Sequence, residues 1–134
     1  MWIIFARTGT ENTNRTELEL GQTYISDIWE GYVIEQIIGR LASNTQAFYY
    51  RTQNGAEIDL CLLRGNEMVA SFEIKLSNNP SANRGNTEAI QDLQTQHNFI
   101  ITPSSNDYKA NENWQVCTLN ALWGHLKPLK VLKF

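Results

Sequence analysis

Two neighbouring stretches of the chain alternate apolar and polar residues, the pattern of β-strands that bury one face. The first stretch runs from Glu57 to Leu63 and the second from Met68 to Leu76. Only Arg64-Gly65-Asn66-Glu67 separates them, and a connection this short joins antiparallel strands. The sequence therefore predicts a β-hairpin, and any fold for this chain has to be built around it.

The apolar residues of both predicted strands carry even numbers: Ile58, Leu60 and Leu62 in the first, and Met68, Ala70, Phe72, Ile74 and Leu76 in the second. Because side chains alternate between the two faces of a sheet, burying both sets on one side requires paired residues whose numbers sum to an even value. A two-residue turn at Gly65-Asn66 gives an odd sum, whereas a three-residue loop, Gly65-Asn66-Glu67, or a β-bulge gives an even one. We therefore predict the three-residue loop.

The same register brings charged residues together on the opposite face of the hairpin, namely Glu57, Asp59, Glu73 and Lys75. Asp59 is expected directly across from Glu73 or diagonal to it, and burial of the apolar residues alone leads to this arrangement. One interpretation is the solvated side of an antiparallel hairpin, which is commonly charged. The other is a site in which carboxylates converge on a cation.

The rest of the chain predicts an α/β sandwich with a mixed central sheet, in the order helix, three strands, helix, strand, strand, helix. Residues 1–23 are expected to be an irregular lead-in or the tail of a missing upstream segment, and residues 24–134 a single domain. Ser26 or Asp27 is expected to cap the first helix. The other predicted elements are a helix at 28–41, a strand at 47–52, a helix at 87–96, strands at 98–102 and 114–118, and a helix at 119–126.

Glu30 lies in the middle of an apolar arc on the first predicted helix, whose members are Val33, Ile34, Ile37, Ile38 and Leu41. Glu35 falls outside that arc, so we expect Glu30 to point inward and Glu35 outward. A buried, unpaired carboxylate is costly, which predicts a partner for Glu30: a metal ion, Lys75, Arg51 or backbone donors. The alternative is a partly hydrated glutamate in the first turn, stabilised by the helix dipole.

Four motifs in order resemble the PD-(D/E)XK nucleases: Ile28-Trp29-Glu30-Gly31-Tyr32-Val33-Ile34-Glu35, Tyr50-Arg51-Thr52, Gly55-Ala56-Glu57-Ile58-Asp59 and Glu73-Ile74-Lys75. More closely, residues 24–125 are similar to the C-terminal domain of unknown function attached to prokaryotic AAA+ type ATPases. This resemblance implies a restriction-endonuclease-like αβββαβ sandwich. The chain has no Gly-x-x-x-x-Gly-Lys-Ser/Thr motif, so the ATPase half is absent here, and Asp27 stands where a glycine often precedes the helix motif.

The same resemblance implies a role for each matching residue. Asp59 and Glu73 would be metal ligands, and Lys75 the catalytic lysine. Glu30 would be a helix carboxylate at the metal, and Arg51, at a family position of unknown role, a candidate for binding substrate. Two carboxylates suit Mg²⁺ or Mn²⁺, which would polarise a phosphate and activate a water molecule for phosphodiester hydrolysis.

Three functional hypotheses remain open at this point. The first is a Mg²⁺-dependent nuclease acting on DNA or RNA. The second is a non-catalytic module of the same fold that binds a nucleic acid, a protein or a P-loop ATPase; the formal net charge of −3 favours it, because nucleic-acid-binding domains are usually basic. The third is an ordinary α/β domain with a coincidental motif, which predicts that Asp59 and Glu73 do not share a sheet face.

Cysteine and histidine usage argues against a thiol-rich metal site. Cys61 and Cys117 lie inside apolar runs and are expected to be buried free thiols in a reducing compartment, the cytoplasm. His97 and His125 are far apart and lack ligand spacing, so we expect them at the surface or at the core edge. No run of about 18 apolar residues occurs, which predicts no membrane span.

Overall fold

One mixed sheet with helices on both faces forms the described part of the protein, residues 3–4, 17–77 and 79–133, in a computed structural model. The helices are α1 (Glu17–Ile38), α2 (Arg84–Leu93) and α3 (Leu119–Leu126), with a 3₁₀ turn at Lys127–Leu129. The strands are β1 (Ile3–Ile4), β2 (Thr45–Arg51), β3 (Glu57–Arg64), β4 (Glu67–Ile74), β5 (His97–Thr102), β6 (Tyr108–Lys109) and β7 (Trp114–Thr118). The predicted mixed α/β class is confirmed.

The sheet runs in the order β1-β2-β3-β4-β5-β7-β6. Strands β1 to β4 pair antiparallel, β4–β5 and β5–β7 pair parallel, and β6 returns antiparallel to β7. A parallel step needs a crossover, and α2 provides the one between β4 and β5. Among the described helices, none combines the length and apolar character needed to cross a membrane.

Two hydrophobic clusters lie on opposite faces of this sheet. Val33 and Ile37 of α1 and Leu122 and Leu126 of α3 pack against one face, while Ile90 of α2 packs against the other. Successive residues of the central strands alternate between the two clusters, as the strand period requires: Phe99 and Ile101 belong to the first, and Ile100 to the second. Each fully buried aliphatic side chain stabilises the fold by about 1.5–3 kcal/mol.

The central pairs of the hairpin have the even register that was predicted, but a β-bulge produces it and not a three-residue loop. Arg64 pairs with Glu67 and Leu63 with Met68, so the turn contains two residues, Gly65 and Asn66, and the predicted three-residue loop is wrong. A register shift follows at once, after which Leu62 pairs with Ala70 and Leu60 with Phe72. Val69 is the extra residue of this bulge, and Gly65, at φ 62°, adopts the left-handed backbone of the tight turn.

Bulges also change which face some residues occupy. A second shift lies between β2 and β3, where Phe48 pairs with Cys61 but Tyr50 pairs with Ile58. As a result Ile58 packs in the α2-side cluster instead of beside Leu60, contrary to the prediction. Met68 likewise packs on the α2 side, because it precedes the bulge in β4, and Leu76 lies beyond the strand and is exposed.

The first helix begins earlier and ends sooner than the sequence predicted. It starts at Glu17 and ends at Ile38, so residues 17–23 are helical, and Ser26 and Asp27 lie inside the helix instead of capping it. The polar composition suggested a loop, but Glu, Leu and Gln are strong helix formers even on a solvated face. Residues 5–16 of the predicted lead-in lie outside the described part, and the proposed domain boundary stays a prediction.

Candidate functional site

Asp59, near the start of β3, meets Glu73, near the end of β4, one position beyond the Leu60–Phe72 pair. Their carboxylates take hydrogen bonds across the two strands: Ile74 N–H donates to Asp59 Oδ2 at 2.8 Å, and Asp59 N–H donates to Glu73 Oε1 at 3.2 Å. Each acid is thus held by the backbone of the opposite strand. The coincidental-motif hypothesis predicted that Asp59 and Glu73 do not share a sheet face, and their contact across the two strands contradicts it.

Glu73 is the more buried of the two acids, with 3% of its surface exposed. Its Oε2 lies 3.4 Å from Lys75 Nζ and accepts a hydrogen bond of 2.7 Å from Asn86 Nδ2. Lys75 keeps its side chain partly exposed, so the ammonium lies at the rim of the site and not inside the core. The three residues Asp59, Glu73 and Lys75 therefore form one cluster, as the hairpin register predicted.

The electrostatics of the cluster favour a bound proton or a bound cation on Glu73. Burial raises the pKa of Glu73 to about 8, and the charge of Asp59 acts in the same direction. Lys75 and Asn86 act against this rise but do not cancel it. A carboxyl group with a raised pKa binds a proton more readily, and a divalent cation held by these carboxylates would displace that proton.

Asn86 belongs to the site although the sequence did not reveal it. It is fully buried in the first turn of α2, where Asn83 Oδ1 accepts from Asn86 N–H and Asn86 Oδ1 accepts from Asn83 N–H, a reciprocal capping box. This arrangement leaves the Asn86 amide N–H groups for the Glu57 carbonyl at 2.9 Å and for Glu73. We predicted the helix to begin near Thr87, so the residue was assigned to a loop; the Asn83-x-x-Asn86 spacing was the available signal.

Gly85 allows α2 to approach the site closely. A Cβ atom at this position would lie 2.3 Å from the Gly55 carbonyl oxygen, in the turn between β2 and β3. No side chain fits there without moving the backbone of the turn or of the helix. Gly85 therefore sets the distance at which the neighbouring Asn86 reaches Glu73.

The backbone of Lys75 is held by two neighbouring elements. Its N–H donates to the Ile101 carbonyl of β5 at 2.9 Å, and its carbonyl accepts from Trp29 Nε1 of α1 at 3.1 Å. The backbone position of Lys75 is thus set by β5 and α1, and its side chain reaches Glu73 at the rim of the site.

The two outer candidates, Glu30 and Arg51, are placed differently from the central cluster. Glu35 is exposed, as predicted, but Glu30 is only half-buried. Within the described chain, the carboxylates of Glu30, Asp59 and Glu73 do not converge within 4.8 Å of one another. Arg51 lies 3.4 Å from Glu57 in an exposed ion pair of the β2–β3 ladder. The roles assigned to Glu30 and Arg51 stay predictions.

The donor set of the cluster fits a hard cation. Asp59 and Glu73 offer carboxylate oxygens, the ligands that Mg²⁺ and Mn²⁺ prefer, and a magnesium ion commonly completes its octahedron with water. Burial and the nearby charge of Asp59 raise the pKa of Glu73, as expected for an acid whose charge the protein compensates only in part. The residues present therefore fit a divalent cation held mainly by these two side chains.

Comparison with known proteins identifies relatives but no characterised activity. A family model described as a domain of unknown function, DUF4143, matches residues 26–122. Uncharacterised proteins of Mycobacterium tuberculosis and Mycobacterium bovis are each 38% identical over 85 residues, which make up 63% of this chain and 19% of theirs. The chain thus spans about a fifth of the length of the curated relatives it matches. No solved structure matches the chain significantly.

Proposed function

The chain belongs to the DUF4143 family, and we propose that its Asp59–Glu73–Lys75 cluster binds Mg²⁺ or Mn²⁺ and hydrolyses phosphodiester bonds in DNA or RNA. The observation that carries the proposal is the pair of carboxylates joined across β3 and β4, with Glu73 buried and Lys75 at its rim. Burial of a carboxyl group without full compensation costs stability, and a shared proton compensates Glu73 only in part. A bound cation would compensate the buried charge of Glu73.

The fold proposal follows from the same elements. The order α1, β2, β3, β4, α2, β5 is αβββαβ, with the acids on the antiparallel hairpin and α2 crossing to a parallel strand. We propose that this is a restriction-endonuclease-like sandwich. The mixed sheet supports it, and so does the position of the acids near the start of β3 and the end of β4.

The cation, when bound, would polarise a substrate phosphate and lower the pKa of a coordinated water. Asp59 and Glu73 would hold it through carboxylate oxygens whose positions are set by the opposing strand. Lys75, released from Glu73, would hydrogen-bond the attacking water and stabilise the negative charge that develops on the phosphate oxygens. Asn86 would keep Glu73 oriented without touching the substrate.

The test combines calorimetry and cleavage assays. We expect the chain to bind Mg²⁺ or Mn²⁺ with heat, and to cleave plasmid DNA, single-stranded DNA or RNA when the cation is present. Asp59→Asn should abolish both. Glu57→Gln is the matched control, because it removes one carboxylate from the same strand but from an exposed ion pair outside the cluster, and it should retain both. Absence of cation heat and of cleavage in the unaltered chain would contradict the proposal.

A non-catalytic binding module is the second candidate, and one contact favours it. Lys75 lies 3.4 Å from Glu73, so the pair resembles a structural ion pair, and the net charge of −3 is unusual for a nucleic-acid enzyme. Such a module would bind a nucleic acid, a protein or a P-loop ATPase domain. If neither Mg²⁺ nor Mn²⁺ binds, and Lys75→Met lowers the free energy of unfolding, the module is the better account.

A further inference from the structure

A second cluster of metal-ligating groups lies outside the carboxylate site. Asp107 precedes β6, Cys117 is on β7 and His125 is in the last turn of α3. One ligand atom from each residue lies within 4.8 Å of the other two. The three donors are an oxygen, a sulfur and a nitrogen, so this is a mixed and softer set than the two carboxylates of the first site.

Each member of this cluster is positioned by a separate part of the fold. His125 Nε2 lies 2.9 Å from both carboxylate oxygens of Asp107, and Gln115 Nε2 donates to Asp107 Oδ1 at 2.5 Å. Cys117 has no exposed surface. Thr118, directly after it, caps α3 by accepting a hydrogen bond from Ala121 N–H, which fixes where that helix leaves the sheet. His125, in the last turn of α3, therefore lies beside the strand that carries Cys117.

The simpler interpretation is a surface ion pair between His125 and Asp107 with a cysteine nearby. That pair does not involve the sulfur of Cys117, which is fully buried and yet lies within 4.8 Å of a carboxylate oxygen and an imidazole nitrogen. Carboxylate, thiolate and imidazole are the three donor types that Zn²⁺ binds in proteins. A divalent cation would therefore use all three donors at once.

A cavity of about 330 Å³ adjoins the cluster at His125, which lines it together with Gln115, Trp114, Phe99 and Lys109. The side chains of His125 and Asp107 are 32% and 43% exposed, so an ion can reach them from solvent, whereas Cys117 is buried. The cavity also leaves room for a water or another small ligand on the ion.

We propose that Asp107, Cys117 and His125 bind Zn²⁺ through one oxygen, one sulfur and one nitrogen, with the fourth position open to this cavity. Zn²⁺ bonds of about 2.0–2.3 Å place tetrahedral ligand atoms roughly 3.3–3.8 Å apart, so the cluster has to adjust by about 1 Å or less. On binding, the thiol proton of Cys117 and any proton held between His125 and Asp107 are released to solvent. The site shares no residue with the carboxylate cluster and does not depend on the proposed function.

Cobalt substitution tests the proposal directly. The full chain is titrated with Co²⁺ in the presence of excess Mg²⁺, which competes for carboxylate oxygens but not for a thiolate. We expect a sulfur-to-cobalt charge-transfer band and tetrahedral visible absorption, with Zn²⁺ abolishing both by displacement. Cys117→Ser should remove the charge-transfer band, whereas Cys61→Ser should retain it, because Cys61 is an equally buried thiol outside the cluster.

Two substitutions of partly exposed residues keep the proposal testable if Cys117→Ser fails to fold. Asp107→Asn and His125→Gln change partly exposed side chains, and each should weaken Zn²⁺ binding by at least the roughly 10- to 100-fold that loss of an outer-shell partner costs. The proposal is overturned if the unaltered chain gives no charge-transfer band. It is overturned equally if the band follows Cys61, or if Asp107→Asn and His125→Gln leave the Zn²⁺ affinity unchanged.

Discussion

The two polar clusters of this molecule differ in how they were assembled. At the first, Asp59 and Glu73 come from adjacent strands, are bound by backbone N–H groups, and include an acid buried with a raised pKa. At the second, Asp107, Cys117 and His125 come from three separate elements, and the carboxylate is exposed. The two acids of the first cluster are thus brought together by one hairpin, with Asn86 of α2 added, whereas the second cluster depends on three elements distant in sequence.

Removing the ammonium group of Lys75 should give the largest change, a loss of cleavage rate, because this group is proposed to act on the transition state. Cation binding is assigned to the carboxylates, so this variant separates the two functions. Lys75→Met is expected to lower the rate of phosphodiester cleavage by roughly 100-fold or more, the scale at which one transition-state donor acts. Cation binding measured by calorimetry should persist, since the carboxylates remain. Cleavage at the unaltered rate would remove Lys75 from the mechanism.

Truncating Asn86 should reveal how much the first cluster relies on α2. Asn86→Ala leaves Glu73 and the Glu57 carbonyl without their buried donor and breaks the capping box. We expect a loss of about 1–3 kcal/mol in the free energy of unfolding, measured with urea, and weaker cation binding. Asn83→Ala is the control: it removes the cap alone and should cost only about 1 kcal/mol with cation binding retained. Equal effects of the two variants on cation affinity would contradict a positioning role for Asn86.

The approach of α2 can be tested at Gly85 with a matched glycine elsewhere. Gly85→Ala introduces a Cβ against the Gly55 carbonyl and should destabilise the fold by about 1–3 kcal/mol. Gly124→Ala, in α3 with nothing within 4 Å of the new Cβ, should be neutral or stabilise by roughly 0.5–1 kcal/mol. Thermal unfolding of both variants checks the pair, and a tolerated alanine at 85 would show that the close approach is not required.

Stability should depend on pH in opposite senses at the two clusters. Burial and the charge of Asp59 raise the pKa of Glu73, so its stabilising contribution is complete below the ordinary glutamate range and is lost as the pH rises through about 8. Partial burial acts to raise the pKa of Asp107, but hydrogen bonds from His125 and Gln115 outweigh this effect and lower that pKa. Its contribution is therefore present above the ordinary aspartate range and is lost on acidification.

Urea unfolding in chelator checks these signs. Glu73→Gln should flatten the alkaline side of the profile, and Asp107→Asn should flatten the acidic side by a smaller amount, because Asp107 is partly solvated. Divalent cation should restore the stability that the unaltered chain loses at alkaline pH. A profile in which Glu73→Gln changes only the acidic side would contradict the assignment.

The sequence was informative where short-range patterns decide the structure. Apolar alternation required an even register in the hairpin, and that register does bring Asp59 and Glu73 together. Apolar alternation does not distinguish a three-residue loop from a bulge, because both give an even register. The structure has a two-residue turn, with Gly65 in the left-handed region, and a bulge at Val69. The early start of α1 was missed because residues 17–23 are mostly polar in sequence, which suggested a loop.

The remaining features depend on contacts between distant elements. Asn86 became part of the site only because α2 packs onto the Gly55 turn, which no local pattern reveals. His125 was expected at the surface or core edge, and the partner that defines its environment, Asp107, is 18 residues away in a different element. Both cysteines are buried, as predicted, but the groups around Cys117 were not foreseeable from its apolar run.

The most direct test of the central claim is a crystal structure of the chain soaked in Mn²⁺, with anomalous scattering recorded to locate the ion. We expect an anomalous peak at the carboxylates of Asp59 and Glu73, with Lys75 Nζ moved away from its 3.4 Å contact with Glu73. No peak at these carboxylates, with Lys75 still paired to Glu73, would contradict a cation site and leave the cluster as a structural ion pair.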